Sequence, residues 1–242
     1  MTGLASLVLA DARFPGGGHV HSGGLEEAVS RDLVSDVDTL AGFLRGRLRT
    51  AGRVAACFAA AAADRAARAV PVPAAESGDR SFVATADWVV LDRELDARTP
   101  SAAQREASRT QGRAALRAVR TAWPSPVLGA LLAADPRPHH PLLVGAVIGR
   151  SGEDPAAAAR CTGYLAVSGP ASAAVRLLGL DPFAVNAALV ALGAELDAIV
   201  LEAAALAPGP VADLPAPGAP VLDLMAESHV RHHRERVRLF AS

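Results

Sequence analysis

The 242-residue chain contains no lysine; all 24 of its basic residues are arginine. That absence removes a P-loop lysine, a Schiff-base lysine and a kinase-type lysine from consideration. Aromatic residues are scarce, at 4%. The core must therefore be built from Ala, Leu and Val, which suits closely approaching helices better than a β-sandwich. An excess of charge of one sign is missing too. The 25 acidic residues leave a net charge of −1, so no bulk field favours nucleic acid or a membrane surface. Cysteine is limited to Cys57 and Cys161, each in an apolar helical segment with no CxxC spacing, which reads as two buried thiols. The longest markedly apolar uncharged run, Cys161 to Val175, is too short to span a bilayer and contains Gly169–Pro170. Asp11 and Arg13 interrupt the N-terminal apolar stretch before it could act as a signal peptide. These absences imply a soluble, cytoplasmic, all-α protein.

What is present is a succession of helical stripes. Thr2 to Ala10 reads as a short apolar helix, and "SGGLEEAVSR" starts a second with Ser22 as N-cap. Ser35 with Asp38 resembles a capping box ahead of the stripe Val37, Leu40, Leu44, Leu48. "VPVPAAESGDR" (70–80) is a loop before a helix at 81–97. Ser101 and Gln104 form a second capping box opening a helix to 123. Along it stand Arg105, Arg109, Arg113 and Arg117 at i,i+4 spacing, where like charges repel. Two readings are open: a solvated face paired with Asp92, Glu94 and Asp96, or a basic face for an acidic partner.

Helices at about 141–149 and 154–168 follow, with a break expected at Gly169–Pro170. Asp181 as N-cap and Pro182 at the first helical position open a helix to about 207, apolar nearly all round and so expected at the centre. The spacing predicts one multi-helix, bundle-like domain over 1–207 and a Pro/Gly linker over 208–220. A C-terminal amphipathic tail over 221–242 carries the stripe Leu222, Met225, His229, His233, Val237, Phe240, and is expected to order on a partner.

"FPGGGHVHSGGLEE" (14–27) concentrates glycine and histidine before a helix start. It cannot be GxxxxGK[ST] without lysine, and Gly16-x-Gly18 is followed by His21 where GxGxxG needs glycine. Histidine pairs at His19/His21, His139/His140 and His229/His233 suit Zn, Cu or Ni, but no acidic or cysteine partner stands at ligand spacing beside them, so interface roles fit them equally. No nucleophile or acid–base constellation stands out, and Glu26–Glu27 are ordinary first-turn charges.

"LADARFPGGGHVHSGGLEEAV" resembles the N-terminal signature of the urease accessory protein UreF family, with Pro15, Gly17, Ser22, Gly24, Leu25 and Glu26 in matching positions. His19 and His21 replace the commoner Phe and Tyr, as in actinobacterial-type members. "ELDARTPSAAQREASRTQGR" is similar to the central segment (Ser108, Gln111, Gly112, Arg113), "HHPLLVGAVIGRSG" to the His-Pro-leading helix, and "SAAVRLLGL" to the Ala-Val-Arg-Leu segment, with Arg176 as its arginine. "HHRERVRLFAS" resembles the family ending through His232, Arg238, Leu239, Phe240 and Ser242. The chain departs from the pattern in having Leu-Gly-Leu-Asp where Pro-Leu-Gly-Gln is usual, and His233 where an acid is usual.

The resemblance implies an all-α homodimer without catalytic residues or cofactor of its own. It implies a scaffold that joins UreD (also called UreH) and the GTPase UreG on apo-urease to support GTP-dependent nickel insertion. The alternative is a metallochaperone binding nickel directly through its histidines. Residues expected to contact partners or the second protomer are Pro15, Gly17, Ser22, Gly24, Glu26, Arg176, His232, Arg238, Leu239 and Phe240.

Overall fold

The computed structural model describes residues 3–16, 22–69 and 80–239, the side chains of 80–86 and 233–239 excepted. Among these residues there are helices and no strand. In chain order they are α1 (Leu4–Ala10), α2 (Leu25–Ser30), α3 (Val37–Arg47), α4 (Arg53–Arg68), α5 (Arg80–Ala97), α6 (Ala102–Ala122), α7 (Pro126–Ala134), α8 (His140–Arg150), α9 (Pro155–Leu178), α10 (Pro182–Val190), α11 (Gly193–Leu206) and α12 (Pro220–Leu239). A π-helical turn, Leu48–Gly52, joins α3 to α4, and a 3₁₀ turn, Val211–Asp213, precedes α12.

The centre is α4, whose run from Ala56 to Ala63 is buried throughout. It packs chiefly on α8 and then on α9 and α11. Contact with α8 is backbone to backbone. A Cβ on Gly145 would lie 2.2 Å from the Ala59 carbonyl oxygen, and one on Gly149 2.0 Å from that of Ala63. Four-residue spacing on both helices places these contacts on successive turns of one face. Their apolar surroundings supply the favourable term, burial of alanine, leucine and valine surface at about 25 cal/mol per Å². Around this pair, α5 packs with α7, α6 with α8, α10 with α9 and α3, and α12 with α6 and α2. Cys57 and Cys161 are both buried, with thiol pKa values pushed up by burial to about 12.

Several local expectations need correction. The box at α3 is formed by Asp36 and Thr39, not Ser35 and Asp38: Asp36 Oδ1 accepts from the Thr39 amide at 2.8 Å. Ser22 is not the N-cap of α2; left-handed Gly24 is, while Ser22 Oγ accepts from the Glu26 amide at 3.3 Å. Ser101 does cap α6, but the Gln104 side chain donates to Asp223 instead of completing a box. The helix expected to run from 182 to 207 is bent by 43° between α10 and α11, where Leu192 turns into the core. Nor is it central, because α10 leaves Phe183 and Val190 exposed.

Pro170 does not break α9, which continues from Pro155 to Leu178. A proline inside a helix orphans the carbonyl four residues earlier. Here that is Ala166 O, and Arg47 Nε donates to it at 2.8 Å. Residues 208–220 also lie against the domain: Val211 and Leu214 are buried, and Arg98 donates to the carbonyls of Val211, Ala212 and Leu214.

Gly149→Ala is expected to cost about 1–3 kcal/mol of stability through overpacking, outweighing the roughly 1 kcal/mol that alanine gains in helix propensity. A Cβ on Gly42, in α3, meets nothing within 4 Å, so Gly42→Ala should stabilise by about 0.5–1 kcal/mol. Thermal melts of the two variants check the contrast; equal shifts would remove the steric account.

Candidate functional site

The glycine-rich bend ends in Gly23 and Gly24, with φ of 62° and 96°, a region that side-chain-bearing residues rarely occupy. These two residues reverse the chain and set Leu25 and Glu27 inward at the start of α2, where both are buried. Arg47 then fastens the bend, its Nη1 donating to Gly23 O at 2.7 Å while its Nε holds Ala166 O. One guanidinium thus satisfies the carbonyl orphaned by Pro170 and ties the N-terminal segment to α9. Burial lowers its pKa to about 10, so it remains charged at neutral pH.

Buried Glu27 lies between Arg31, at 2.7 Å, and His232 Nδ1 of α12, at 3.4 Å. Burial opposes its charge, but the hydrogen bond from Arg31 and the nearby His232 prevail and hold its pKa below the usual carboxylate value. α12 is anchored nearer its start as well. Glu227 Oε1 accepts from Ser101 Oγ at 2.6 Å and from the Ala103 amide at 2.9 Å, supplying a second cap to α6. Leu222 and Met225 are buried beneath it, whereas Val221 and Leu224 face outward at 60% and 70% exposure. The expected order-on-partner tail is therefore already packed on its own domain.

A polar network braces α5, α6 and the start of α8. Arg109, 8% exposed, donates to Asp92 and Asp96 and to the Arg137 carbonyl, and pairs with Asp135. Of the two open readings of the α6 arginines, the pairing with Asp92 and Asp96 holds for Arg109, but inside the protein and not on a solvated face; Glu94 pairs with Arg98 instead. Buried His139 bonds through Nε2 to Asp96 at 2.8 Å and through Nδ1 to Ser108 Oγ at 3.0 Å. With the proton on Nε2 facing the carboxylate, Nδ1 accepts from the Ser108 hydroxyl. Burial lowers the His139 pKa, as does Arg109, against the opposing pull of Asp96.

These pieces border one cavity of about 630 Å³. Ser22, Gly24 and Glu26 from the bend line it, as do Ser108 and Gln111 of α6, His139 and His140, Arg176 near the end of α9, and Leu222, Asp223 and His229 of α12. Of the residues expected to contact partners, Ser22, Gly24, Glu26 and Arg176 converge here. Pro15 is exposed outside the lining, and His232 sits apart on Glu27. Arg238 and Leu239 end α12 with side chains outside the described set; Gly17, His19, His21 and Phe240 lie outside the described residues altogether. Among the described residues, no group of three or more His, Cys, Asp and Glu is arranged to hold a metal ion. Sequence reasoning missed Arg47, Glu27 and Glu227. Arg47 alone left a trace, a charged residue beside Leu44 and Leu48 on the apolar stripe of α3.

The family model named UreF matches residues 34–193. Over the full length of both chains, the sequence is 42% identical to the urease accessory protein UreF of Mycobacterium sp. (strain JLS) and of Mycolicibacterium vanbaalenii, and 41% identical to that of Mycobacterium tuberculosis.

Arg47→Met should leave both carbonyls unsatisfied and cost about 2–4 kcal/mol, with faster amide exchange over 22–30 than elsewhere; uniform exchange would contradict the fastening role. His139 gives a pH signature. Its folded pKa lies below the ordinary 6.5, so the unfolded chain binds the proton more readily. The stability it contributes is full above 6.5 and is lost as pH falls from 6.5 through the folded value. His139→Gln should flatten the dependence of Tm on pH in that window, above the range where the carboxylates of Glu27 and Asp96 titrate.

Proposed function

The chain belongs to the UreF family of urease accessory proteins, and we propose that it serves urease maturation as a non-enzymatic scaffold. In this reading it joins UreD and the GTPase UreG on apo-urease in the cytoplasm and supports GTP-dependent nickel insertion. The observation that carries it is the convergence of four separated family-like segments, from the bend to the end of α9, on the walls of one cavity that α12 closes. The outward residues Val221 and Leu224 offer UreD an apolar edge at the start of α12. No single described helix is long and apolar enough to cross a membrane; α10 and α11 pass that test only as a bent pair.

The homodimer is supported by a second feature. Phe183, Ala187, Val190, Ala194, Ala198, Leu201 and Ala205 are all exposed, and their spacing of three and four residues makes a continuous apolar stripe along α10 and α11. The stripe is self-complementary. In an antiparallel two-fold pairing centred on Ala194, Phe183 meets Ala205, Ala187 meets Leu201 and Val190 meets Ala198, a large residue opposite a small one each time. Such isologous matching is what a two-fold axis requires. Direct nickel binding is the second reading, favoured by His140 and His229 both lining the cavity.

Two measurements test these readings. Co-expression with UreD and UreG should yield a complex that activates apo-urease, and Val221→Asp/Leu224→Asp should release UreD while the helical spectrum is kept. Activation that proceeds without this protein would refute the scaffold. Light scattering should show a dimer for the native chain and a monomer for Phe183→Asp/Leu201→Asp; a variant that stays dimeric would exclude the α10–α11 pairing. Equilibrium dialysis against Ni²⁺ decides the alternative, since stoichiometric retention lost in His140→Ala/His229→Ala would favour the metallochaperone.

A further inference from the structure

The structure divides the arginine row of α6 in two. Arg105 and Arg109 are turned to Asp96 and its neighbours. Arg113, Arg117 and Arg120 are exposed, and among the described residues they have no carboxylate, carbonyl or ring partner. They fall at i, i+4 and i+7, on the face opposite Gly112, Ala115 and Val119, which are buried. Most other described arginines do have a partner: Arg13 is matched to Asp11, Arg31 to Glu27, Arg45 and Arg49 to Glu195, Arg53 to Glu202 and Arg160 to Asp197. The remaining unmatched ones, Arg93, Arg150 and Arg231, stand singly on three different helices. Three neighbouring guanidinium groups on successive turns repel one another, and only Arg120, in the last turn of α6, gains from the helix dipole. The fold has therefore kept an unneutralised cationic strip where salt bridges are otherwise the rule.

We propose that the Arg113–Arg117–Arg120 face of α6 is a docking surface for an acidic helix of another protein. The chemistry favours carboxylates in a helical register. One turn of α6 separates successive guanidinium groups, so Asp or Glu residues one turn apart on a facing helix meet them in forked, charge-assisted pairs. Nucleic acid fits less well, because the face presents no aromatic platform for stacking; Trp123, at its end, packs on Phe14 with ring centroids 6.4 Å apart. A second copy of this chain does not supply the counter-charge from its apolar α10–α11 stripe. The inference is independent of the urease-maturation reading, since it concerns the charge class of the partner and not its identity.

The test titrates the full chain into a fluorescent helical peptide of about 20 residues with Glu at i, i+4 and i+7 spacing, beside a Gln-for-Glu version and a single-stranded oligonucleotide of equal charge. The Glu peptide should bind and the Gln peptide should not. Arg113→Glu/Arg117→Glu should weaken binding by about fivefold or more, and raising salt from about 50 to about 300 mM should do the same. Arg93→Glu and Arg150→Glu serve as equal charge changes elsewhere and should stay within about twofold. Should charge reversal impair folding by circular dichroism, Arg113→Gln/Arg117→Gln is measured instead, with a loss in the same direction expected. Equal losses at Arg93, no loss at Arg113 and Arg117, or tighter binding of the oligonucleotide would each overturn the proposal.

Discussion

The contact on which the rest of the architecture depends is the backbone approach of α8 to α4. Side chains normally hold helices about 8–10 Å apart. Glycine at 145 and 149 against alanine at 59 and 63 removes that spacer, and carbonyl oxygens of α4 occupy the places where Cβ atoms would stand. Because α8 begins at His140, this approach also fixes where His139 and Pro138 lie. Gly112 of α6 accommodates the same connection, since a Cβ there would fall 2.0 Å from Pro138 O. The His139 network is thereby aimed between α5 and α6, and the cavity wall follows.

A second constraint acts through hydrogen bonds. Pro170 leaves one carbonyl of α9 without its helical donor, and in a protein interior such a group demands a partner. Arg47 meets that demand and with its other arm holds the N-terminal bend. Two irregular features, a proline within a helix and a glycine reversal far away in the chain, are thus joined by one half-buried cation. The position of the bend thus depends on α3 and α9 as well as on its own glycines. It also explains how a segment rich in glycine can present Ser22 and Glu26 at a defined place on the cavity rim.

Family membership and the accessory-protein role it carries sit comfortably with this architecture. Of the residues in segments resembling the family's, Gly112 serves close packing, Ser108 and His139 join a hydrogen-bond network at the cavity wall, and Glu26 and Arg176 line the same cavity. Asp96, His139 and Ser108 form a hydrogen-bonded chain linking α5, the start of α8 and α6, and Asp96 also accepts from Arg109. The surfaces proposed for partners are the apolar stripe of α10–α11, the outer edge of α12 and the arginine strip of α6. Two of them are apolar and the third is cationic.

The sequence by itself determined the all-α class, most helix starts and the buried state of both cysteines, because these follow from signals contained within a few residues. Asp181 before Pro182 caps α10, and Ser101 caps α6, through bonds to amides two or three positions away. Leu40, Leu44 and Leu48 declare their burial by spacing alone. Tertiary structure decided the remainder. Arg47 finds its acceptors 24 and 119 residues distant, Ser101 meets Glu227 across 126 residues, and neither pairing leaves a local pattern. For the same reason an apolar α10–α11 segment could be mistaken for the centre. Periodicity shows how much of a helix is apolar, but only the packing of the other helices decides which face is covered, and here α4 took the interior because alanine and glycine let its neighbours come closer.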